Sequence, residues 1–126
     1  MNWRKLLLGT LIVSLAIEVL WPILGFFAPS FTLGLFKVAV NADTLFLAFV
    51  LAWCLLFVAL ACGQALLWVK RNVAAGWTLS LILGGWWIGI GVALFAFHGK
   101  LENLFLDGLK GAILVAAALK TPRPAA

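Results

Sequence analysis

Three ionisable residues, Glu18, Asp107 and Lys110, lie inside otherwise apolar runs of this sequence. A charged side chain at membrane depth is energetically costly, so each of them is a candidate functional residue. At the helical rise of about 1.5 Å per residue, Glu18 is about 13 Å from the outer end of its run, and Asp107 and Lys110 are about 6 and 10 Å into theirs. Because these depths overlap, we expect two acids and one base to meet, an arrangement that suits proton coupling or cation binding.

Polar or small residues accompany these charges at helical spacing. Asn103 lies four residues before Asp107, so the two share a helix face. The third apolar run carries its own stripe of small and polar residues around a large ring: Ser80, Gly84, Trp87 and Gly91. We expect these faces to turn inward and form a site for a ligand or a proton. Its predicted members are Glu18, Asp107, Lys110, Trp21, Trp87, Ser14, Ser80 and Asn103.

A structural role for the three charges is the main alternative. A network of Glu18, Lys110 and Asp107 can hold helices in register, and Lys110 can extend to the outer surface. Paired carboxyl groups can act as acid and base, but nothing in the sequence supplies a nucleophile, so no catalytic residue is predicted. One histidine, His98, and the absence of a Cys-x-x-Cys motif indicate no metal site and no cofactor.

The composition identifies the solvent around the chain. Of 126 residues, 66% are hydrophobic and only 10% are charged. A protein of this size cannot bury such an excess of apolar residues in a water-soluble fold. It is therefore predicted to be an integral membrane protein. The apolar runs cover residues 6–27, 44–69, 77–97 and 103–119. We predict an all-α membrane protein, a single four-transmembrane-helix antiparallel bundle over residues 1–126.

The charges outside the runs indicate the orientation. The terminal segments and the second loop contain six basic residues and no acid: Arg4, Lys5, Lys70, Arg71, Lys120 and Arg123. An even number of spans places these segments on one side, so both termini are predicted to be cytoplasmic, in a bacterial inner membrane. The net charge of +5 then reflects topology and attraction to the lipid bilayer. No basic-aromatic surface outside the membrane favours nucleic-acid binding.

The first outer loop, residues 28–43, is unusually apolar for a loop. We predict an interfacial packing element, with a lid over a cavity as the alternative. Alternation at Phe31, Leu33 and Leu35 also permits a short extended piece. At the end of the loop, residues 41–44, Asn-Ala-Asp-Thr, offer cap residues just before the second span.

Glycine and tryptophan patterns concern the packing of the helices. Gly84, Gly85, Gly89 and Gly91 are predicted helix-packing positions. Gly85 and Gly89 have the GxxxG spacing, which favours tight packing within the chain or a homodimer. Among the seven tryptophans, Trp53, Trp86 and Trp87 fall near mid-span. Each of these rings is expected to hydrogen-bond across the bundle or to line an apolar cavity.

Two short segments resemble the small multidrug resistance exporters, which have four short helices and a membrane-embedded glutamate. The segments are 17–19, Ile-Glu-Val, and 87–91, Trp-Ile-Gly-Ile-Gly. The long outer loop, the long second span and the pair Asp107 and Lys110 depart from the family pattern, so its function is not carried over.

Three functions remain open from the sequence. The first is a small transporter or ligand-binding protein that uses the charged cluster in a tryptophan-lined bundle, with a homo-oligomer as one expected state. The second is a non-catalytic accessory subunit of a larger membrane complex. The third, less favoured, is an intramembrane enzyme that acts on a lipid or an isoprenoid.

Overall fold

The protein is helical over most of its length. A computed structural model describes residues 1–125, and no strand occurs among them. The helices are α1 (Trp3–Phe27), α2 (Pro29–Leu35), α3 (Ala42–Lys70), α4 (Ala75–His98), α5 (Leu101–Asn103) and α6 (Lys110–Lys120). A π-helical segment, Leu104–Leu109, joins α5 to α6. The predicted all-α class is confirmed.

Three helices in the described part of the chain, α1, α3 and α4, are long and apolar enough to span a membrane. This finding indicates a membrane protein, and it agrees with the first three predicted runs, which lie within these helices. The fourth predicted run, 103–119, is not one regular α-helix. The wider turns of the π-helical segment interrupt it, a local change in hydrogen bonding that hydropathy does not encode.

The chain forms two compact units, which are described separately. The terminal unit contains residues 1–14 and the chain from residue 61 onward, and the central unit contains residues 15–60. Helices α1 and α3 each contribute to both units.

In the terminal unit, α4 packs closely against α6 and the π-helical segment. A Cβ atom on Gly111 would lie 2.5 Å from the carbonyl oxygen of Gly84, and one on Gly91 would lie 2.7 Å from the Gly108 nitrogen. Side chains at these positions would collide with backbone, so the packing requires glycine there.

The other two predicted packing glycines lie elsewhere on α4. Gly85 and Gly89 are exposed, and a Cβ on either would meet no atom within 4 Å. Gly84 and Gly91 are seven residues apart and share a face, whereas Gly85 and Gly89 are rotated away from it. The GxxxG pair is therefore not part of the packing within the chain.

Several chain segments meet at one end of the terminal unit. The Arg4 guanidinium donates a hydrogen bond to the Val69 carbonyl (3.3 Å), and the Arg123 guanidinium donates one to Thr78 Oγ1 (2.6 Å). These contacts place the start of α1, the end of α3, the start of α4 and the segment after α6 together. The basic residues of the termini and of the second loop thus lie at a common end.

The central unit contains the second half of α1, α2 and the first part of α3. A Cβ atom on Gly25 would lie 2.8 Å from Ala52 Cβ, so α1 and α3 approach closely there. At the start of α3, Asn41 Oδ1 accepts a hydrogen bond from the Thr44 nitrogen and Thr44 Oγ1 accepts one from the Asn41 nitrogen, both at 2.9 Å. This reciprocal pair is a helix cap that satisfies otherwise free donors.

The outer loop contains a helix rather than an extended piece. Pro29 is the first residue of α2, where its missing N–H and restricted φ suit a helix start. The Thr32 hydroxyl donates a hydrogen bond to the Ala28 carbonyl at 2.9 Å, within the same turn. The segment with alternating apolar residues, for which an extended conformation was also possible, is therefore helical.

Candidate functional site

An ion pair at the junction of the π-helical segment and α6 is the centre of the candidate site. Lys110 Nζ lies 3.4 Å from Asp107 Oδ1, and the Lys110 side chain is only 9% exposed. Asn103 Nδ2 donates a hydrogen bond to Asp107 Oδ2 at 3.1 Å. The structure thus brings together the three residues that the sequence placed on one stripe.

Helix α4 contributes an aromatic face to the same cluster. Lys110 Nζ lies 4.2 Å from the ring centroid of Trp87, which is 1% exposed. A cation over an indole face is attracted by the ring quadrupole, and more strongly when water is excluded. Trp87 Nε1 has no hydrogen-bond partner among the described residues. The Trp87 ring therefore contacts Lys110 through its face. The sequence had predicted instead that the ring would hydrogen-bond across the bundle or line an apolar cavity.

The glycine contacts of α4 hold Trp87 in this position. Trp87 lies between Gly84 and Gly91 along the helix, and all three are buried. Because those glycines allow α4 to approach α6 and the π-helical segment, the indole can lie directly against the Lys110 ammonium. The charged pair and its ring are thus positioned by two packed helices.

The two predicted serines are buried in the terminal unit, with different hydrogen bonding. Ser80 Oγ donates to the Gly76 carbonyl at 2.7 Å, a bond within α4 that occupies its proton. Ser14 Oγ is buried and has no hydrogen-bond partner among the described residues. Of the two, Ser14 therefore keeps an uncommitted hydroxyl group.

The remaining predicted residues, Glu18 and Trp21, belong to the central unit. Glu18 is 3% exposed on α1, which is a rare location for a carboxyl group. Trp21 is half-buried, and its ring centroid lies 5.5 Å from that of Phe36, just after α2. Glu18 is thus a buried carboxyl group in an apolar helix, whereas the Asp107 side chain is 22% exposed.

Trp21 also lines an apolar cavity of about 210 Å³ in the central unit. The wall is formed by α1, by α2 with the residues after it, and by α3. Of its lining residues, only Trp21 was predicted from the sequence to belong to a functional site. The signal that was available is the set of small residues Gly25, Ala48 and Ala52, which leave room beside larger apolar side chains.

Two of the mid-span tryptophans lie on the surface of the chain. Trp53 and Trp86 are 56% and 43% exposed. The ring of Trp53 packs edge-on against that of Phe26, with 5.3 Å between the ring centroids. Neither ring is enclosed in the interior of its unit, which differs from the two roles predicted for these rings, a hydrogen bond across the bundle or a place in a cavity wall.

Comparisons with protein-family models, curated proteins and solved structures find no match to this chain. What the site can do is therefore argued from its chemistry. The Asp107 side chain is 22% exposed, against 9% for that of Lys110, so the carboxylate is the more accessible member of the pair.

Proposed function

We propose that this chain is a small membrane protein that binds a proton or a small cation at Asp107 and supports its transport. The observation that carries the proposal is the Asp107–Lys110 pair, set over Trp87 among apolar helices. A buried ion pair is weak evidence for a stabilising role, since apolar residues of similar volume can replace it without loss. Ionisable residues retained within membrane segments commonly mark proton or ion pathways.

The geometry supports a division of roles between the two charged groups. Asp107 offers carboxylate oxygens for exchange, with one of them oriented by the Asn103 amide. The Trp87 face holds the Lys110 ammonium. When Asp107 is neutralised by a proton or a cation, the ammonium keeps this contact, so loading requires little rearrangement. The π-helical segment that carries Asp107 is of a kind that occurs often at functional sites.

The proposed transport takes place across a cytoplasmic membrane, which the chain crosses four times. The segment from Leu101 to Lys120, made of α5, the π-helical segment and α6, has 20 residues, which correspond to about 30 Å of helix and match the bilayer core. With this fourth span both termini lie on one side. The basic residues gathered at one end of the terminal unit favour the cytoplasmic side of a bacterial inner membrane.

Cysteine labelling tests this topology. In a background with Cys54→Ser and Cys62→Ala, we expect a membrane-impermeant maleimide to label Lys100→Cys in intact spheroplasts. We expect Arg71→Cys to be labelled only after lysis, because its loop faces the cytoplasm. Labelling of both positions in intact spheroplasts, or of Arg71→Cys alone, would contradict the orientation proposed for these two loops.

Flux through reconstituted protein tests the function. We expect wild-type protein in liposomes to dissipate an imposed pH gradient or to take up ²²Na⁺ faster than protein-free liposomes. Asp107→Asn keeps the size of the side chain but cannot be ionised, so it is expected to lower that flux by about tenfold or more. Glu18→Gln tests the buried carboxyl group of α1 in the same way, and we expect it also to lower the flux.

Glu102→Gln is the matched control, because Glu102 is an exposed carboxylate on α5. Its flux should equal that of the wild type. Wild-type flux of both ions at the protein-free level, or equal flux in Asp107→Asn and wild type, would overturn the proposal. Size-exclusion chromatography and circular dichroism of each variant verify that folding is retained.

A second candidate function is a non-catalytic accessory subunit of a larger membrane complex. The open, exposed face at Gly85 and Gly89 favours it, because glycines at this spacing admit a second helix backbone. Purification in mild detergent from cells with native abundance tests it. Co-purified chains in fixed ratio support the subunit role, and a lone monodisperse species contradicts it.

A further inference from the structure

We propose that the cavity of the central unit is a binding site for an aliphatic hydrocarbon chain, with α2 as its cover. The inference uses residues other than Asp107 and Lys110 and does not depend on the proposed function. The cavity has a volume of about 210 Å³ and lies within residues 15–60.

The chemistry of the wall selects an apolar ligand. Ten of its twelve lining residues are apolar or glycine, and the two exceptions are Thr32 and Thr44. The Thr32 hydroxyl donates to the Ala28 carbonyl (2.9 Å), and the Thr44 hydroxyl donates to the Ala39 carbonyl (2.7 Å). Since both hydroxyl protons are engaged with backbone, neither threonine offers a donor to a polar ligand.

The size of the cavity favours occupation by hydrocarbon over water. Apolar cavities of about 150 Å³ stay dry and take up molecules such as benzene. Water needs two to four polar partners, which this wall does not supply. An empty cavity also loses the dispersion contacts that close packing provides. A segment of a hydrocarbon chain restores those contacts without a demand for hydrogen bonds.

The position of α2 indicates where the ligand comes from. Thr32 and Leu33 line the cavity, while Phe31 and Leu35 on the same short helix are 59% and 52% exposed. Apolar residues on the outer side of α2 are suited to contact membrane lipid. Beside α2 the cavity opens at the surface of the unit, where the lining residues Leu47 and Leu51 are 60% and 56% exposed, so lipid chains have direct access.

The aromatic contact after α2 closes one side of the site. Phe36 lines the cavity, and its ring centroid lies 5.5 Å from that of Trp21 on α1. Small residues of α3, Ala48 and Ala52, form the opposite wall and leave the space open. A larger side chain at Ala48 is therefore expected to occupy the volume that the ligand uses.

Photolabelling of the full chain in phosphatidylcholine nanodiscs tests the inference, with a palmitate that carries a diazirine near the end of its chain. We expect adducts on the peptides that line the cavity, saturating near one probe per chain. Competition by unlabelled palmitate would identify the ligand as an acyl chain, and competition by geranylgeraniol would identify it as an isoprenoid. Either competition supports the site. Labelling that does not saturate, or that is competed by neither compound, overturns it.

Substitutions in α3 supply the matched controls. Ala48→Phe fills the cavity and is expected to lower saturable labelling by about tenfold, in line with the loss of a ligand-sized apolar volume. Val50→Phe adds a ring at an exposed position outside the wall and should label like the wild type. Leu47→Trp, at an exposed lining position, is the second filling variant should Ala48→Phe not fold. Wild-type labelling in a folded filling variant overturns the proposal.

Discussion

Replacing Gly91 by leucine is expected to destabilise the protein by about 2 kcal/mol or more, while Gly89→Leu changes stability by less than about 0.5 kcal/mol. The same substitution is made two residues apart on α4, so the change in helix propensity is matched. A Cβ on Gly91 would lie 2.7 Å from the Gly108 nitrogen and 2.9 Å from the Asn103 carbonyl oxygen, whereas one on Gly89 meets nothing within 4 Å. Backbone atoms cannot move aside as a flexible side chain can.

The measurement is unfolding of the purified protein in mixed micelles with rising sodium dodecyl sulfate, followed by circular dichroism. The collision at Gly91 involves the segment that carries Asn103 and Asp107, so Gly91→Leu is also expected to lower the flux through the reconstituted protein. Equal losses of stability at the two glycines would show that α4 and the π-helical segment do not pack in this way.

The second large effect concerns the coupling between Asp107 and Lys110. Lys110→Met leaves the Asp107 carboxylate without the ammonium that lies 3.4 Å from it, and Asp107→Leu removes the same attraction, so we expect each substitution to destabilise the protein by about 2 kcal/mol or more. The double variant should lose less than the sum of the two, with a coupling energy of about 1–2 kcal/mol. Lys110→Met also removes the cation from the face of Trp87.

The unfolding assay in mixed micelles measures all three variants, and Glu102→Leu serves as the control. Glu102 is exposed on α5, so its loss should change stability by less than about 0.5 kcal/mol. Strictly additive losses in the double variant would mean that the two side chains do not interact in the folded protein.

The sequence alone determined the helical class and the three long helices of this protein. Its apolar excess requires lipid as the solvent, and in lipid the backbone must satisfy its hydrogen bonds internally, which favours helices. It also determined that Asn103, Asp107 and Lys110 share a stripe, because spacings of three and four residues place side chains on one helix face. These conclusions rest on composition and on the spacing of residues along the chain, both of which can be taken directly from one sequence.

The tertiary structure decided which apolar faces pack together and which remain exposed. In a membrane both the interior and the lipid-facing surface of a helix are apolar, so hydropathy could not separate buried Trp87 from exposed Trp86. The same ambiguity concealed the difference between Gly91 and Gly89.

The partner of Trp87 and the cavity beside Trp21 also depend on contacts between segments distant in the chain. Such contacts follow from how closely two backbones approach, and that distance is set by side-chain volumes on both helices at once. Periodicity along one helix identifies a face, but the atom that meets that face is determined only when the helices pack.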